Sequence, residues 1–153
     1  MNICVGGTFY PFHKGHKTLL RKACEVAGSS GSVFIGLTSD QMAQKKGKIA
    51  SFPQRKKIIQ GFLAQEGCTP HVTIQPLFDP YGPSVIGEFD AIVVSPETKV
   101  VAEEINSKRR EKGKKPLEII VIPFVLAEDG RPISSTRIRN KEIDENGVVL
   151  KEE

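Results

Sequence analysis

Short apolar runs alternate along this chain with longer segments in which apolar residues recur at helical spacing. The apolar runs predict five buried strands, at residues 3–5, 32–37, 72–77, 91–95 and 117–125. The helical spacing predicts helices at residues 16–27, from the capping-box pair Ser51 and Gln54 to Gly67, at 100–112 and at 134–140. Strands separated by helices of this length require right-handed parallel crossovers. The sequence therefore predicts an α/β fold: a single-domain, doubly wound, Rossmann-like five-stranded parallel sheet with helices on both faces.

Length and composition agree with this architecture. A chain of 153 residues fits one domain over residues 1–153, with an acidic C-terminal tail at 141–153 that could be an extra strand, an interface or a frayed end. Hydrophobic residues make up 39% and charged residues 26%, which is typical of a globular protein. No apolar run approaches the roughly 18 residues that span a bilayer, and the N-terminus resembles no signal peptide. We therefore expect a cytoplasmic protein without a membrane partner.

Three cysteines stand far apart in the sequence, at Cys4, Cys24 and Cys68. An odd number at wide spacing matches neither a disulfide framework nor a CxxC metal site, so we expect reduced thiols in a cytosolic protein. Cys4 lies in an apolar run and is expected to pack in the core. A zinc site from His13, His16 and Cys4 would lack a fourth ligand at a sensible spacing, so no protein metal site is predicted.

A glycine-rich turn, GGTFYPFHKGH at residues 6–16, joins the first strand to the first helix. Gly6 and Gly7 let the backbone approach a ligand closely, and the helix that follows is expected to offer unpaired N–H groups and a partial positive charge to an anion. His13 and His16 lie three residues apart across the helix mouth, where each can donate a ring N–H to a phosphate oxygen. The alternative is a tight turn with two surface histidines.

A second candidate anion site is ISSTRIR at residues 133–139. Ser134 or Ser135 could cap a short helix and present backbone N–H groups, while Arg137 and Arg139 add forked donors that suit phosphate oxygens. Taken alone, this segment could equally be an ordinary capped surface helix with solvated arginines.

Both motifs resemble those of a known enzyme superfamily. GTF at residues 7–9 followed by HKGH at 13–16 is similar to the (G)TFDxxHxGH signature of the nucleotidyltransferases, with Tyr10 where that family usually has Asp. The ISST segment resembles the ISSTxxR motif of the adenylyltransferase branch, and the RTEGISTT motif of the cytidylyltransferase branch is missing, which favours ATP over CTP. VVSPET at residues 93–98 looks like the VSxET segment of phosphopantetheine adenylyltransferases of the archaeal and eukaryotic type, and the similarity spans residues 3–139.

The resemblance implies a reaction and a set of residue roles. ATP and 4′-phosphopantetheine would give dephospho-coenzyme A and pyrophosphate. Mg²⁺ would bridge phosphate oxygens and keep several waters, so few protein ligands are expected. His16 would contact the α-phosphate in the transition state and His13 the neighbouring phosphates, while Lys48 and Arg137 would complete the catalytic set, Arg137 at the leaving pyrophosphate. The implied ATP site comprises Gly7, Thr8, Phe9, His13, His16, Ser134, Ser135, Thr136 and Arg137. The implied site of the acceptor phosphate comprises Thr8, Lys46 or Lys48, and Arg55.

Other functions stay open from the sequence. An adenylyltransferase for nicotinamide mononucleotide (NMN) or flavin mononucleotide (FMN) would use the same phosphate machinery, and a non-catalytic sensor would bind ATP without turnover. The chain has a net charge of +4, and its basic segment 107–115 could bind nucleic acid. The segment has no interleaved aromatic residues, however, and fits a solvated helix end better. We expect ATP and the acceptor as partners and no nucleic acid, and the oligomeric state is left open.

Overall fold

The computed structural model describes residues 1–150 and places five strands in one parallel sheet. The strands are β1 Asn2–Gly7, β2 Ser32–Thr38, β3 His71–Leu77, β4 Ala91–Val94 and β5 Glu118–Val121. Their order in the sheet is β3-β2-β1-β4-β5, and every pairing is parallel. The chain therefore winds outward from β1 in one direction, returns, and winds the other way from β4. This order confirms the predicted doubly wound, Rossmann-like sheet.

Helices cover both faces of the sheet. They are α1 Lys14–Ala27, α2 Asp40–Ala43, α3 Phe52–Glu66, α4 Lys99–Glu111 and α5 Ser135–Arg139, with 3-10 turns at Gln44–Lys46 and Gly82–Val85. Successive residues of a strand point to opposite faces. Ile3 and Val5 accordingly join the core under α1 and α3, whereas Cys4 joins the core under α4. No helix within residues 1–150 is long and apolar enough to cross a membrane.

Strand β5 ends four residues earlier than the apolar run predicts. Only residues 118–121 pair with β4. The N–H of Ile122 still donates to the carbonyl of Val94, but the next residue, Pro123, has no N–H with which to extend the ladder. Residues 122–125 therefore leave the sheet at its carboxyl edge.

The segment after α5 folds back onto the protein. Ile143 is fully buried and packs in a small core with Ile133. The carbonyl of Glu145 accepts a hydrogen bond from the backbone N–H of Lys14, the first residue of α1. Residues 141–150 of the predicted tail thus pack beside the start of α1, and the last three residues of that tail lie outside the described residues.

Cys24 and Cys68 form a disulfide, so the prediction of three free thiols is wrong for these two residues. Cys24 lies in α1 and Cys68 follows the end of α3, 44 positions later, with their Cα atoms 6.0 Å apart. The crossovers bring α1 and α3 side by side on one face, and spacing along the chain does not reveal this. Cys4 is buried and free, as predicted, and burial raises the pKa of its thiol to about 11.

Reduction of this disulfide is expected to destabilise the fold. A cross-link between residues 44 positions apart removes unfolded-state entropy worth about 4 kcal/mol. Urea unfolding followed by circular dichroism should show a free energy of unfolding lower by about this amount in the presence of a reductant. The Cys24→Ser variant should match the reduced wild type and should not respond further to reductant. Equal unfolding midpoints with and without reductant, after thiol release has been verified, would contradict the expected stabilisation.

Candidate active site

A cleft of about 360 Å³ opens at the carboxyl ends of β1, β4 and β5. β1 lies between β2 and β4, where the winding direction of the sheet reverses, and doubly wound sheets bind their ligands at this position. The cleft is lined by residues 6–10, 13, 15, 16 and 19 of the first turn and α1, 95–98 after β4, 122–125 after β5, and 133–136 and 139 at α5. The histidine turn and the ISST segment, predicted as separate anion sites, therefore face one cavity.

His13 and His16 cap the start of α1 with their rings. The Nδ1 atom of His13 accepts the N–H groups of Gly15 and His16 at 3.0 and 3.4 Å, and the Nδ1 atom of His16 accepts the N–H of His13 at 3.2 Å. A ring nitrogen that accepts a hydrogen bond has no hydrogen of its own, so the hydrogen of each neutral imidazole is on Nε2. Each ring therefore has an Nε2–H donor pointing away from its capping contact, and both rings line the cleft.

The first N–H groups of α1 are bonded within the protein. Lys14 donates to the carbonyl of Glu145, and Gly15 and His16 donate to the His13 ring. The expectation that the helix mouth offers these N–H groups directly to phosphate is therefore wrong. Each imidazole accepts from the backbone on one side and presents a donor on the other, so the positive polarity of the helix terminus reaches the cleft through the rings.

Burial keeps both imidazoles neutral. Desolvation lowers the pKa of His13 from 6.5 to about 4. Desolvation, together with the neighbouring His13, lowers the pKa of His16 well below its ordinary value. The two rings stack with their centroids 3.7 Å apart, a distance at which two positive charges would repel each other strongly. Near neutral pH the pair therefore acts through uncharged N–H donors.

Steric constraints around the turn hold the rings in place. Phe9 is buried in a left-handed conformation, with φ of 52°, and its ring centroid lies 5.2 Å from that of His16. This conformation costs a non-glycine residue on the order of 1–2 kcal/mol and persists only where the surrounding contacts demand it. At Gly15, a Cβ atom would lie 2.8 Å from Cε1 of His13. Only glycine therefore lets the His13 ring fold over the start of the helix.

The two arginines of the C-terminal motif, both expected to suit phosphate oxygens, lie in different surroundings. Arg139 lines the cleft, whereas Arg137, predicted at the ATP phosphates, does not. The Arg137 guanidinium is largely buried and bonds to the carboxylate of Asp129, whose pKa it lowers to about 2, and to the carbonyl of Pro132. The ISSTxxR pattern has its arginine three residues after Thr136, so the motif itself points to Arg139.

A second cavity of about 150 Å³ adjoins the first beyond the end of β1. Both cavities are lined by Gly6, Gly7, Thr8 and Thr98. The other residues around the second cavity are mainly apolar and include Met42, Leu77, Tyr81, Val101 and Ile105. Thr8 therefore lies at the junction between a larger cleft equipped for anions and a smaller apolar cavity.

The basic residues predicted at the acceptor phosphate lie elsewhere. Lys48 is exposed and lines neither cavity, and the side chain of Lys46 lies outside the described part of the structure. Arg55 is fully buried, and its guanidinium donates to the carbonyls of Thr8 and Thr38. The prediction that Arg55 contacts phosphate directly is corrected by this burial, because the guanidinium faces the backbone behind the cleft.

Two segments of the cleft were not predicted from the sequence as part of it. In residues 95–98, which follow β4, the hydroxyls of Ser95 and Thr98 bond to each other at 3.0 Å. Residues 122–125 were assigned to a strand. Pro123 was the available signal, because a proline within an apolar run argues against a central strand.

The basic segment 107–115, which includes the last turn of α4, is less solvated than the sequence suggests. Arg109 is buried, and its guanidinium donates to the carbonyls of Ser84, Gly87 and Lys115. Arg109 thus ties the end of α4 to the loop before β4, and its charge is not presented to solvent.

Carboxylates contribute little to the cleft. Glu97 lines it, and within residues 1–150 no group of three or more His, Cys, Asp and Glu side chains is placed to hold a metal ion. A divalent ion that arrived with an anionic ligand would be held mainly by the ligand's oxygens and by water. Mg²⁺, which keeps several of its waters, suits such a site.

The neutral histidines should make the stability of the fold depend on pH. The pKa of His13 is about 4 in the folded state against 6.5 ordinarily, so between these values the unfolded state binds the extra proton. The free energy of unfolding is therefore expected to fall as pH is lowered from 7 towards 4, by on the order of 3 kcal/mol from this residue. Urea unfolding at stepwise pH measures the slope.

A matched variant separates this effect from the titration of carboxylates. Asn is a good N-cap residue and does not titrate, so His13→Asn should keep the helix start and show a shallower pH dependence. A variant whose unfolding free energy changes with pH as steeply as that of the wild type would show that His13 is not the group responsible.

Comparison with known proteins identifies the family of this chain. A cytidylyltransferase-like family model matches residues 4–141. A phosphopantetheine adenylyltransferase of Methanosarcina mazei is 48% identical over 151 residues, covering 98% of this chain and 97% of the relative, and that of Archaeoglobus fulgidus is 38% identical over 152 residues, covering 98% and 100%. A solved structure of a protein of unknown function from Archaeoglobus fulgidus is 35% identical, with a TM-score of 0.70 over 80% of this chain and 89% of that one. The chain therefore belongs to the cytidylyltransferase-like family of nucleotidyltransferases and, within it, to the phosphopantetheine adenylyltransferases.

Proposed function

We propose that this protein transfers the adenylyl group of ATP to 4′-phosphopantetheine, giving dephospho-coenzyme A and pyrophosphate. One observation supports this most directly. A stacked pair of neutral imidazoles, each with an Nε2–H donor, faces the ISST segment and Arg139 across one cleft, and Thr8 connects that cleft to a second, apolar cavity. The larger cleft suits a triphosphate, and the adjoining cavity suits the uncharged arm of the acceptor.

The attacking group in this reaction needs no general base. The acceptor phosphate is largely dianionic near neutral pH, because its second pKa is about 6. One of its oxygens attacks the α-phosphorus of ATP and forms a new P–O bond. The bond from the α-phosphorus to the bridging oxygen of the β-phosphate breaks, and pyrophosphate leaves with that electron pair. Positioning and charge stabilisation are what remain for the protein to supply.

The two histidines are suited to stabilising charge on the α-phosphate. Their Nδ1 atoms are engaged in capping, so each Nε2–H is fixed in direction before ATP binds. Preorganised donors of this kind contribute most when charge develops on the oxygens they face. His16 is assigned to the α-phosphate in the transition state and His13 to the neighbouring phosphates. Because the acceptor phosphate is already deprotonated, neither ring is required to transfer a proton.

The C-terminal motif is assigned to the leaving pyrophosphate. Ser134, Ser135, Thr136 and Arg139 line the same cleft as the histidines. Ser134 caps α5 by accepting the N–H of Arg137 at 3.2 Å, which orients the first turn of that helix. Arg139 is exposed and supplies positive charge at the cleft, whereas Arg137 is largely buried and paired with Asp129. Thr8, which lines both cavities, is assigned to the acceptor phosphate.

Magnesium is part of this proposal. When bound with ATP, Mg²⁺ would neutralise phosphate charge and polarise the reacting phosphorus. Glu97 is the side chain that could approach the ion or its waters. A cytoplasmic location is also proposed, since ATP and the phosphorylated acceptor are intracellular metabolites.

Assays of pyrophosphate release with different acceptors test the proposed function. With ATP and Mg²⁺, release should depend on 4′-phosphopantetheine and should be far slower with NMN, FMN or no acceptor. Faster release with either mononucleotide would reassign the acceptor. Tight ATP binding without release in the presence of any acceptor would favour the non-catalytic sensor.

His16→Ala in the same assay tests the catalytic role of the imidazole. An amide side chain at this position would keep N–H donors of its own, whereas alanine has none. The variant loses the capping contact with the N–H of His13, which should cost about 1 kcal/mol of stability. It should have kcat reduced roughly 100-fold or more and the Kd for ATP changed by less than about threefold. Near wild-type kcat would remove His16 from this role.

Alanine variants of the two arginines should affect different properties. Arg139→Ala should raise the KM for ATP about tenfold, the usual cost of losing a charge-assisted hydrogen bond, without lowering Tm. Arg137→Ala should lower Tm, because it leaves Asp129 without its main partner, while the KM for ATP stays within about twofold. The reverse pattern, with ATP binding dependent on Arg137, would show that the motif arginine was misassigned.

A further inference from the structure

Arg55 is the largest of the fully buried side chains, and every hydrogen-bonding atom of its guanidinium is engaged. Nε donates to the carbonyl of Ala50 at 2.8 Å. Nη1 donates to the carbonyl of Thr8 at 3.2 Å and to the hydroxyl of Thr38 at 3.1 Å. Nη2 donates to the carbonyl of Thr38 at 2.8 Å and to the carboxylate of Asp40 at 3.3 Å. The side chain therefore connects the ends of β1 and β2 behind the cleft.

The fold places the two threonines on adjacent strands. Gly7 at the end of β1 is in register with Leu37 of β2, so Thr8 and Thr38 are the next pair at the carboxyl edge of the sheet. Their hydroxyl oxygens are 3.1 Å apart, with Thr38 donating to Thr8. Both residues line the second cavity.

The guanidinium fixes the direction of this hydrogen-bonded chain. Arginine is only a donor, so the hydroxyl oxygen of Thr38 must accept from it. The single hydroxyl hydrogen of Thr38 is then available for Thr8, and the Thr8 oxygen accepts it. The hydroxyl hydrogen of Thr8 is consequently directed elsewhere than Thr38. The order of donation is Arg55 to Thr38 to Thr8.

The charge of Arg55 is only partly balanced. Within residues 1–150 its one carboxylate partner is Asp40, whose side chain is about half exposed, while its other acceptors are neutral carbonyl and hydroxyl oxygens. Asp40 also accepts the N–H of Phe52 at 2.6 Å, which divides its negative charge between two donors. A positive charge buried next to Thr8, away from screening by water, attracts an anion on the other side of that residue.

We propose that Arg55 and Thr38 are positioning residues for the acceptor phosphate: they hold the Thr8 hydroxyl as a hydrogen-bond donor towards that phosphate and place a buried positive charge behind it. This inference rests on the proposed function, which puts the acceptor phosphate at Thr8. Arg55 thus influences the phosphate without touching it, since it acts through one hydroxyl and through the Thr8 backbone.

A matched pair of Thr38 variants tests this role. Thr38→Val preserves the shape of the side chain and removes the hydroxyl, whereas Thr38→Ser keeps the hydroxyl and removes the methyl group. We expect Thr38→Val to raise the KM for 4′-phosphopantetheine about tenfold, with the KM for ATP within about twofold. Tm should fall moderately, because one N–H of the buried Arg55 guanidinium loses its acceptor. Thr38→Ser should have wild-type KM values. Competitive inhibition by pantetheine, which has no phosphate, should be equal in all three proteins.

Several outcomes would overturn the proposal. A wild-type KM for 4′-phosphopantetheine in Thr38→Val would do so, as would an equal rise in both KM values or equal impairment in Thr38→Ser. Weaker inhibition by pantetheine in Thr38→Val would show a packing role in the second cavity instead. Should Thr38→Val not fold, Thr38→Ala removes the hydroxyl without adding bulk and gives the same comparison. Failure of the proposed function is recognised separately, because the wild type would then show no turnover with this acceptor.

Discussion

The reciprocal contact between His13 and His16 at the start of α1 is the interaction on which the site depends. In an ordinary capping box a serine or threonine and a glutamate or glutamine satisfy the first N–H groups of a helix. Here two imidazoles do so, and each has a second nitrogen that faces the cleft. The contact that begins the helix therefore also fixes the tautomer and direction of the donors. It requires neutral rings, because a protonated imidazole has no nitrogen that can accept. Burial supplies that condition.

Local patterns predicted the parts of this structure that local physics decides. Alternating strand-like and helix-like segments predicted the parallel sheet, and Ser51 with Gln54 predicted the capping box at the start of α3. The histidine turn and the ISST segment were predicted as anion sites, and they line one cleft because both follow strands whose carboxyl ends lie at the same edge of the sheet. Even the early end of β5 had a local cause at Pro123.

The features that sequence patterns missed depend on partners that lie outside the local pattern. Arg55 was predicted at the acceptor phosphate from the family resemblance, but its acceptors include Thr8, 47 residues away. Arg137 is withdrawn from the cleft by Asp129 across a turn, and Cys24 meets Cys68 because two helices pack side by side. Nothing in the composition of these segments distinguishes a cation that binds a ligand from one that binds the protein. Burial decides between them.

The histidine pair and the Arg55 chain follow the same physical principle. In each, a group that can both accept and donate stands between a donor of the scaffold and the cleft: an imidazole after the helix N–H groups, a hydroxyl after the guanidinium. In water, a group that can both accept and donate a hydrogen bond can present either its acceptor or its donor to a ligand. A scaffold donor behind the group occupies its acceptor, so only the donor is presented to the cleft. The backbone and buried-charge contacts that the fold needs in any case thus also fix the direction of these donors. Little reorganisation is therefore needed when a phosphate binds. Reactions between two anions gain most from such fixed donors, because water would otherwise have to reorient around both.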